Sequence, residues 1–275
     1  MSEATDHGFF HLSPAAGRLG VIFARPKALA AICVIALAGL GWLALGLMVS
    51  GTSAFEALCR PLTSGAWSTG GFAIVAAMWS AMTLAMMLPS AAPMILTYAE
   101  IADTAARKGE RIVSPVTLAA GYMLVWFGFA AAATLMQFIF SRVALLDTGM
   151  APASGLFSGA IFIAAGAYQF SALKHACLTQ CQRPFPFFFR HWATTPRGVF
   201  KLGLTQGLYC LGCCWAMMLL MFAVGVMNVI WMAGLGMVMT FEKIGVGKRF
   251  TQAVGIALIA AGVIVALAGW PPHLI

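Results

Sequence analysis

The chain has 275 residues, of which 61% are hydrophobic and only 9% are charged, and its formal net charge is +8. Apolar runs long enough to cross a bilayer recur along nearly the whole sequence, which excludes an ordinary soluble domain and predicts an all-α, polytopic integral membrane protein embedded in a lipid bilayer. The basic residues lie between these runs rather than in one patch, so the positive charge does not indicate a nucleic-acid partner.

Seven apolar segments are predicted to form one bundle of about seven transmembrane helices. They lie at 28–50, 71–98, 114–140, 154–173, 203–225, 227–242 and 250–270. The fifth and sixth are separated at Gly225 and Asn228, because the uncharged stretch is too long for one crossing and these residues favour a tight turn. The bundle occupies 28–270, between tails at 1–27 and 271–275.

The distribution of charge predicts the orientation of this bundle. Every lysine and arginine except Arg60 and Arg142 falls in the N-terminal tail or in the loops that follow the second, fourth and sixth spans. Because cytoplasmic segments carry the excess of basic residues, we expect the N-terminus in the cytoplasm and the C-terminus outside.

The second predicted span combines prolines with methionines. Pro89 and Pro93 lack the amide hydrogen that a helix needs, so carbonyls one turn earlier, such as that of Ala85, lose their helical partners. On the same span Met82 and Met86 are four residues apart and share one face. Packing in the core is the ordinary role of such methionines, and donation to a soft metal is the alternative.

The fifth predicted span carries three thiols at its cytoplasmic end. Cys210, Cys213 and Cys214 have i, i+3, i+4 spacing, so they face one side of a helix, and Met217 and Met221 continue the stripe.

A second pair of thiols follows the fourth span. Cys177 and Cys181 lie four residues apart, so they share a face if the helix continues, and His175 precedes them. A single connection to the fifth span can bring this pair near the first group of thiols. Cys33 and Cys59 are isolated, and we expect them to act as small apolar residues.

Clustered thiols on the cytoplasmic side stay reduced, which favours metal or redox chemistry over structural disulfides. Thiolate and thioether donors together favour Cu(I), and a mainly thiolate site also suits Zn(II). No predicted span has an Asp, Glu, Lys or Arg at its middle, which disfavours proton-driven transport. The sequence has no nucleotide-binding motif and no Ser/His/Asp arrangement, so a non-enzymatic role is favoured.

Three stretches resemble a bacterial domain-of-unknown-function family of predicted metal-binding integral membrane proteins. The stretches are "MWSAMTLAMMLPSAAPM" (78–94), "GAYQFSALKHACLTQCQRP" (166–184) and "GLYCLGCCWAMMLLMFAVGVMNVIWM" (207–232), followed by "FEK" (241–243). The resemblance implies a multi-pass protein of the bacterial inner membrane that binds metal. By matching position it implies the ligands Cys177, Cys181, Cys210, Cys213 and Cys214, with His175 as a further candidate.

The sequence leaves three functions open. The leading hypothesis is a protein that binds Cu(I) at the five cysteines for delivery, storage or translocation, with a metallochaperone or a metalloenzyme under assembly as its partner. In that hypothesis Met82, Met86, Met217 and Met221 offer an onward path. The second is a thiol–disulfide oxidoreductase that uses Cys210 and Cys213 with a quinone or a protein. The third is a structural or assembly subunit in which a metal joins two helices.

Overall fold

The structure, a computed structural model, describes residues 26–49, 69–110, 112–143, 154–226, 228–245 and 247–268. Over these residues the regular elements are all α-helices, in agreement with the predicted all-α class. They are α1 (Pro26–Val49), α2 (Thr69–Arg107), α3 (Pro115–Arg142), α4 (Gly155–Tyr168), α5 (Ala172–Gln182), α6 (Pro184–Arg190), α7 (Pro196–Leu219), α8 (Met221–Val224), α9 (Val229–Ile244) and α10 (Lys248–Ala268). The predicted tails, 1–27 and 271–275, lie almost entirely outside this part of the chain, as does Cys59.

Within the described residues, five helical segments are long and apolar enough to cross a membrane. They are Lys27–Leu47, Gly71–Arg107, Pro115–Arg142, Pro196–Val224 and Lys248–Ala268. The number rises to six if α4 and α5, which meet at an angle of 65°, form one broken span. The seven-span count and the orientation of the termini therefore stay predictions.

Two predicted spans differ in detail from the helices observed. The fourth, predicted at 154–173, ends at Tyr168, and a new helix starts where the Ser171 side chain accepts a hydrogen bond from the Lys174 amide. Such a cap offers the backbone a helix start that hydrophobicity does not reveal. The sixth, predicted at 227–242, is a helix of 16 residues, about 24 Å long and therefore shorter than a typical hydrocarbon core of about 30 Å.

The turn before α9 is formed at Gly225 and Asn228, where the sequence predicts it. Gly225 has a φ of 92°, which a residue with a side chain rarely adopts, and Asn228 caps α9 by accepting a hydrogen bond from the Trp231 amide. The chain therefore reverses after α8 and returns α9 toward the end of the bundle where α7 begins.

α2 remains helical through Pro89 and Pro93, and a neighbouring helix replaces the hydrogen bond that Pro89 removes. Trp42 on α1 donates its indole N–H to the carbonyl of Ala85 at 3.1 Å, the oxygen that Pro89 deprives of its helical partner. The hydroxyl groups of Ser90 and Tyr122 donate to the carbonyl of Met87 at 2.8 and 3.1 Å. Replacement donors of this kind are what allows proline inside an apolar helix.

A close crossing sets the position of α3 against α7. Gly121 and Gly203 face each other, and a Cβ at either position would overlap backbone of the other helix, at Phe200 or at Leu118. Contact between backbones requires glycine at both positions. The crossing places Tyr122 of α3 beside the part of α7 that carries the cysteines.

Candidate metal centre

The three cysteines of α7 form a buried group of thiols. The Sγ atoms of Cys210, Cys213 and Cys214 all lie within 4.8 Å of one another, and those of Cys213 and Cys214 are 3.2 Å apart. The thiol of Cys213 also donates to the carbonyl of Cys210 at 3.2 Å. The i, i+3, i+4 spacing accounts for this proximity, because residues three and four apart are neighbours on a helix surface. We call these three side chains the α7 thiols.

α5 brings a fourth thiol to this group. Cys181 Sγ lies 4.0 Å from Cys213 Sγ. Cys177, one turn earlier, packs instead against the backbone of Gly212, where a Cβ would lie 2.6 Å from its Sγ. Glycine at 212 therefore permits α5 to approach α7 closely. The two thiols that the sequence pairs on α5 thus make different contacts with α7.

A buried lysine contacts the first of the α7 thiols. Lys243, near the end of α9, places its ammonium nitrogen 2.9 Å from Cys210 Sγ and 2.6 Å from Ser90 Oγ. The Tyr122 hydroxyl lies 2.9 Å from the same sulfur. Because that hydroxyl donates its one hydrogen to the Met87 carbonyl, the cation is the group that stabilises an ionised sulfur here, and the thiolate is the form that binds metals.

A buried ion pair fixes the helices that carry Lys243 and Cys181. The Lys174 ammonium lies 2.8 Å from a carboxylate oxygen of Glu242, and both side chains are fully buried. Gln182 donates its side-chain amide to the Glu242 carbonyl at 2.7 Å. These contacts join α5 to the end of α9 at the residues adjacent to Cys181 and Lys243. Because a buried charge without its partner is costly, the pair restrains both helices in this arrangement.

A partly open cavity of about 240 Å³ connects the thiols to the surface of the protein. Two thiols, Cys181 and Cys210, lie on its wall beside Lys243 and Tyr122. The side-chain nitrogen of Gln206 is also buried at this wall and has no hydrogen-bond partner among the described residues. The remaining lining residues are Ser90, Ala91, Pro93, Met94, Gln182, Pro184 and Ile244.

The further candidate ligands from the sequence do not line the cavity beside Cys181 and Cys210. The four methionines, Met82, Met86, Met217 and Met221, are buried in the hydrophobic core. Met217 accepts a hydrogen bond on its sulfur from the Gln169 side chain at 3.0 Å, and Met86 borders a cavity beside Trp42. His175 lines a different cavity, next to Lys248 at the start of α10. Cys33, expected to act as a small apolar residue, is a half-buried free thiol on α1.

Sequence reasoning missed the residues that surround the thiols. The sequence places Lys174 and Lys243 in loops between spans and Glu242 at the end of the sixth span, whereas the structure buries all three side chains. Tyr122 and Gln206 carried no signal beyond their polarity inside apolar helices. The signal that could have pointed to Lys243 is its place within the "FEK" stretch, directly after Glu242, at the end of the bundle where the cysteines were predicted to lie.

The chemistry of these donors fits a soft metal ion. Three sulfurs lie within 4.8 Å of one another and a fourth lies 4.0 Å from one of them, and thiolate sulfur is a ligand that Cu(I) prefers. The fold and the site together define a largely apolar helical protein with a buried group of metal-binding thiols.

Comparison with known families identifies the chain more closely. Residues 76–265 match the model of a family described as PpoB2, copper chaperone, and because this is more than half of the chain, the protein belongs to that family. The matched region contains all five cysteines predicted as ligands, as well as Lys243. No curated protein and no solved structure matches the chain. The family supports the metal binding that the sequence resemblance implies, whereas the domain-of-unknown-function family itself stays a resemblance.

Proposed function

We propose that this protein is a membrane-embedded copper chaperone that receives and releases Cu(I) at the α7 thiols and Cys181. The observation that carries the proposal is the contact of Lys243 with Cys210 beside two further thiols, inside a chain of the copper-chaperone family. Copper is the cargo here, and Cys177 would be an accessory thiol at the edge of the site.

The charges of the site suit a copper–thiolate complex. Cu(I) bound by two thiolates carries a net negative charge, which is unfavourable inside an apolar bundle unless a cation lies close by. Lys243 supplies that cation, and Ser90 holds its ammonium in place. A neutral assembly of this kind retains an ion without requiring a further buried charge.

Delivery is favoured over storage and over movement across the bilayer. The cavity beside Cys181 and Cys210 gives the ion a place to enter and leave, as a chaperone requires. Met82, Met86, Met217 and Met221 would offer soft thioether donors if the ion moved further into the core. A metallochaperone or a metalloenzyme under assembly would exchange copper at the cavity.

We also propose that the chain lies in the bacterial inner membrane. The five to six apolar helices supply the spans, and the basic residues favour a cytoplasmic N-terminus. In this orientation the thiols lie toward the cytoplasmic side, where they remain reduced and able to bind Cu(I).

The metal content of anaerobically purified protein tests this function. We expect copper close to stoichiometric amounts in the wild type, loss of most of it in the Cys213→Ser/Cys214→Ser variant, and retention in the control Cys33→Ser. If the wild type instead contains stoichiometric zinc and the double variant loses it, the bound ion is zinc rather than copper. Metal-free protein whose thiols become oxidised on addition of a quinone would instead favour the oxidoreductase that uses Cys210 and Cys213.

A further inference from the structure

A second partly open cavity, of about 530 Å³, lies between α5 and the start of α10. Its apolar lining residues are Phe170, Ala172 and Leu178, and the others are His175, Thr179, Gln182, Gly247, Lys248 and Thr251. None of the five cysteines predicted as ligands lines it, although Gln182 borders both cavities. This cavity is therefore separate from the candidate metal centre.

The charge of this second cavity is positive. Lys248 lines it, is exposed, and forms no ion pair with another described residue. No carboxylate is found among the described residues that line the cavity, and the first turn of α10 has no acidic residue. Lys174, next to His175 in the chain, is neutralised by Glu242 in the buried ion pair. The ammonium group of Lys248 is thus uncompensated and favours an anion.

The start of α10 adds backbone donors to the same cavity. The first turn of a helix leaves amide hydrogens without helical partners, and the helix dipole favours a negative charge at this end. Gly247, directly before α10, has a φ of 101°, and a Cβ at this position would meet no other atom. The start of this 21-residue helix is therefore open to a ligand in the cavity.

A buried hydroxyl group is a second and independent indication of a ligand. Thr251 lines the cavity, is only 2% exposed, and its hydroxyl has no hydrogen-bond partner among the described residues. Helical threonines elsewhere in the chain, such as Thr205 and Thr240, donate to a carbonyl one turn earlier, at 2.9 and 2.8 Å. The Thr251 oxygen is not among the fully enclosed atoms that lack a partner, so it can reach an acceptor in the cavity. A buried donor without an acceptor is costly, and an anion would supply one.

The surroundings of the cavity favour a lipid over other anions. α10 is one of the helices long and apolar enough to cross a membrane, and it begins at this cavity. The Phe170 ring lies against Gly255 of α10 and is 43% exposed, and Leu173 on α5 is 60% exposed. A phosphate bound at the start of α10 would leave acyl chains beside these apolar side chains. Basic pockets between membrane helices are typical sites for anionic headgroups.

We propose that this cavity binds the phosphate group of an anionic phospholipid and that the lipid joins α5 to α10. Lys248 pairs with the phosphate, and the Thr251 hydroxyl and the first amides of α10 donate hydrogen bonds to its oxygens. His175 donates from α5. The inference is independent of copper and rests only on the proposed placement of the chain in a membrane.

Two lipids with the same acyl chains and different net charge provide the test. Delipidated full-length protein in a non-ionic detergent is titrated with dioleoylphosphatidylglycerol (anionic) or dioleoylphosphatidylcholine (zwitterionic), and bound lipid is counted by native mass spectrometry. We expect one phosphatidylglycerol to bind about tenfold more tightly than phosphatidylcholine. A large excess of inorganic phosphate should not displace it, because the acyl chains contribute to binding.

Variants distinguish a built site from general attraction between basic residues and anionic lipid. Lys248→Gln should weaken the binding of phosphatidylglycerol about fivefold, and Thr251→Val, which keeps the shape of the side chain, should weaken it several-fold. Arg249→Gln removes the same charge from the same turn of α10 but does not line the cavity, so it should leave the affinity nearly unchanged. The copper content of each variant should equal that of the wild type.

The outcomes separate this inference from the proposed function. Equal affinity for the two lipids, or equal losses in Lys248→Gln and Arg249→Gln, would overturn the lipid site and leave the copper chaperone intact. Displacement of phosphatidylglycerol by inorganic phosphate would overturn the assignment of a lipid as the occupant. Wild-type protein that retains the lipid but binds no copper would overturn the proposed function and support this inference.

Discussion

Cys210 is the residue at which the contacts of the site converge. An ammonium nitrogen and a phenolic oxygen each lie 2.9 Å from its sulfur, from two different helices, and two further thiols lie on its own helix. The ammonium cation beside the sulfur stabilises the thiolate form of Cys210. We therefore assign to Cys210 the first bond to an incoming ion.

The two cysteines of α5 are expected to differ in how much they contribute to Cu(I) binding. Cys181→Ser should weaken Cu(I) binding about tenfold or more, because the side chain lies 4.0 Å from Cys213 and on the cavity wall. Cys177→Ser should leave the affinity nearly unchanged, because Cys177 contacts the Gly212 backbone. Competition with a chromophoric Cu(I) chelator measures both affinities. Equal losses in the two variants would contradict the assignment of Cys181 as the ligand from α5.

At the scale of helices, the glycines between α3 and α7 determine whether the site can form. The crossing at Gly121 and Gly203 brings Tyr122 to hydrogen-bond distance of Cys210, two turns further along α7. A methyl group at this crossing has no free space, so the helices would have to separate. The geometry at the thiols thus depends on residues that carry no functional group.

Gly203→Ala tests this dependence. We expect the substitution to reduce the free energy of unfolding by about 1–3 kcal/mol through overpacking, and to weaken Cu(I) binding as Tyr122 moves away from Cys210. Gly128→Ala, on the same helix α3 as Gly121 but with open space around it, should not destabilise the protein. Unfolding of the detergent-solubilised protein and the chelator competition supply the two readouts. Similar behaviour of both variants would exclude a special role for the crossing.

The grouping of the α7 thiols could be predicted from the sequence because it depends on the geometry of one helix. The i, i+3, i+4 spacing of Cys210, Cys213 and Cys214 requires only helical geometry, and a single connection was enough to anticipate Cys181 nearby. Lys243 could not be placed in the same way, since its contact with Cys210 depends on the return of α9 along the bundle. A basic residue at the end of an apolar helix is ordinarily an anchor at the membrane surface.

The helix boundaries also divide into those that hydrophobicity predicts and those that it does not. Hydrophobicity predicted both ends of α1, α3 and α10 to within about two residues, because their apolar runs are continuous. It also predicted α7, but this helix begins at Pro196, before the predicted start at residue 203, and ends at Leu219, before the predicted end at residue 225. It missed the break between α4 and α5, where the Ser171 cap starts a new helix inside an apolar stretch, and it missed the continuation of α2 to Arg107 beyond the predicted end at residue 98. Local hydrogen bonding and helix propensity, rather than hydrophobicity, decide such ends.

At the scale of the whole molecule, the distribution of basic residues predicts that the cavity opens toward the cytoplasm. A variant that retains only Cys181 and the α7 thiols should react with a membrane-impermeant maleimide in inverted vesicles and not in right-side-out vesicles. Loading with Cu(I) should protect it, because Cys181 and Cys210 line the cavity. Labelling in right-side-out vesicles would reverse the predicted orientation.

X-ray absorption at the copper K edge of the loaded protein shows whether Cu(I) is held by the sulfurs of α7 and α5. We expect an edge typical of Cu(I) and a first coordination shell of sulfur only, and we expect this shell to change in the Cys213→Ser/Cys214→Ser protein. A shell of nitrogen or oxygen, or a sulfur shell unaffected by that double substitution, would contradict it.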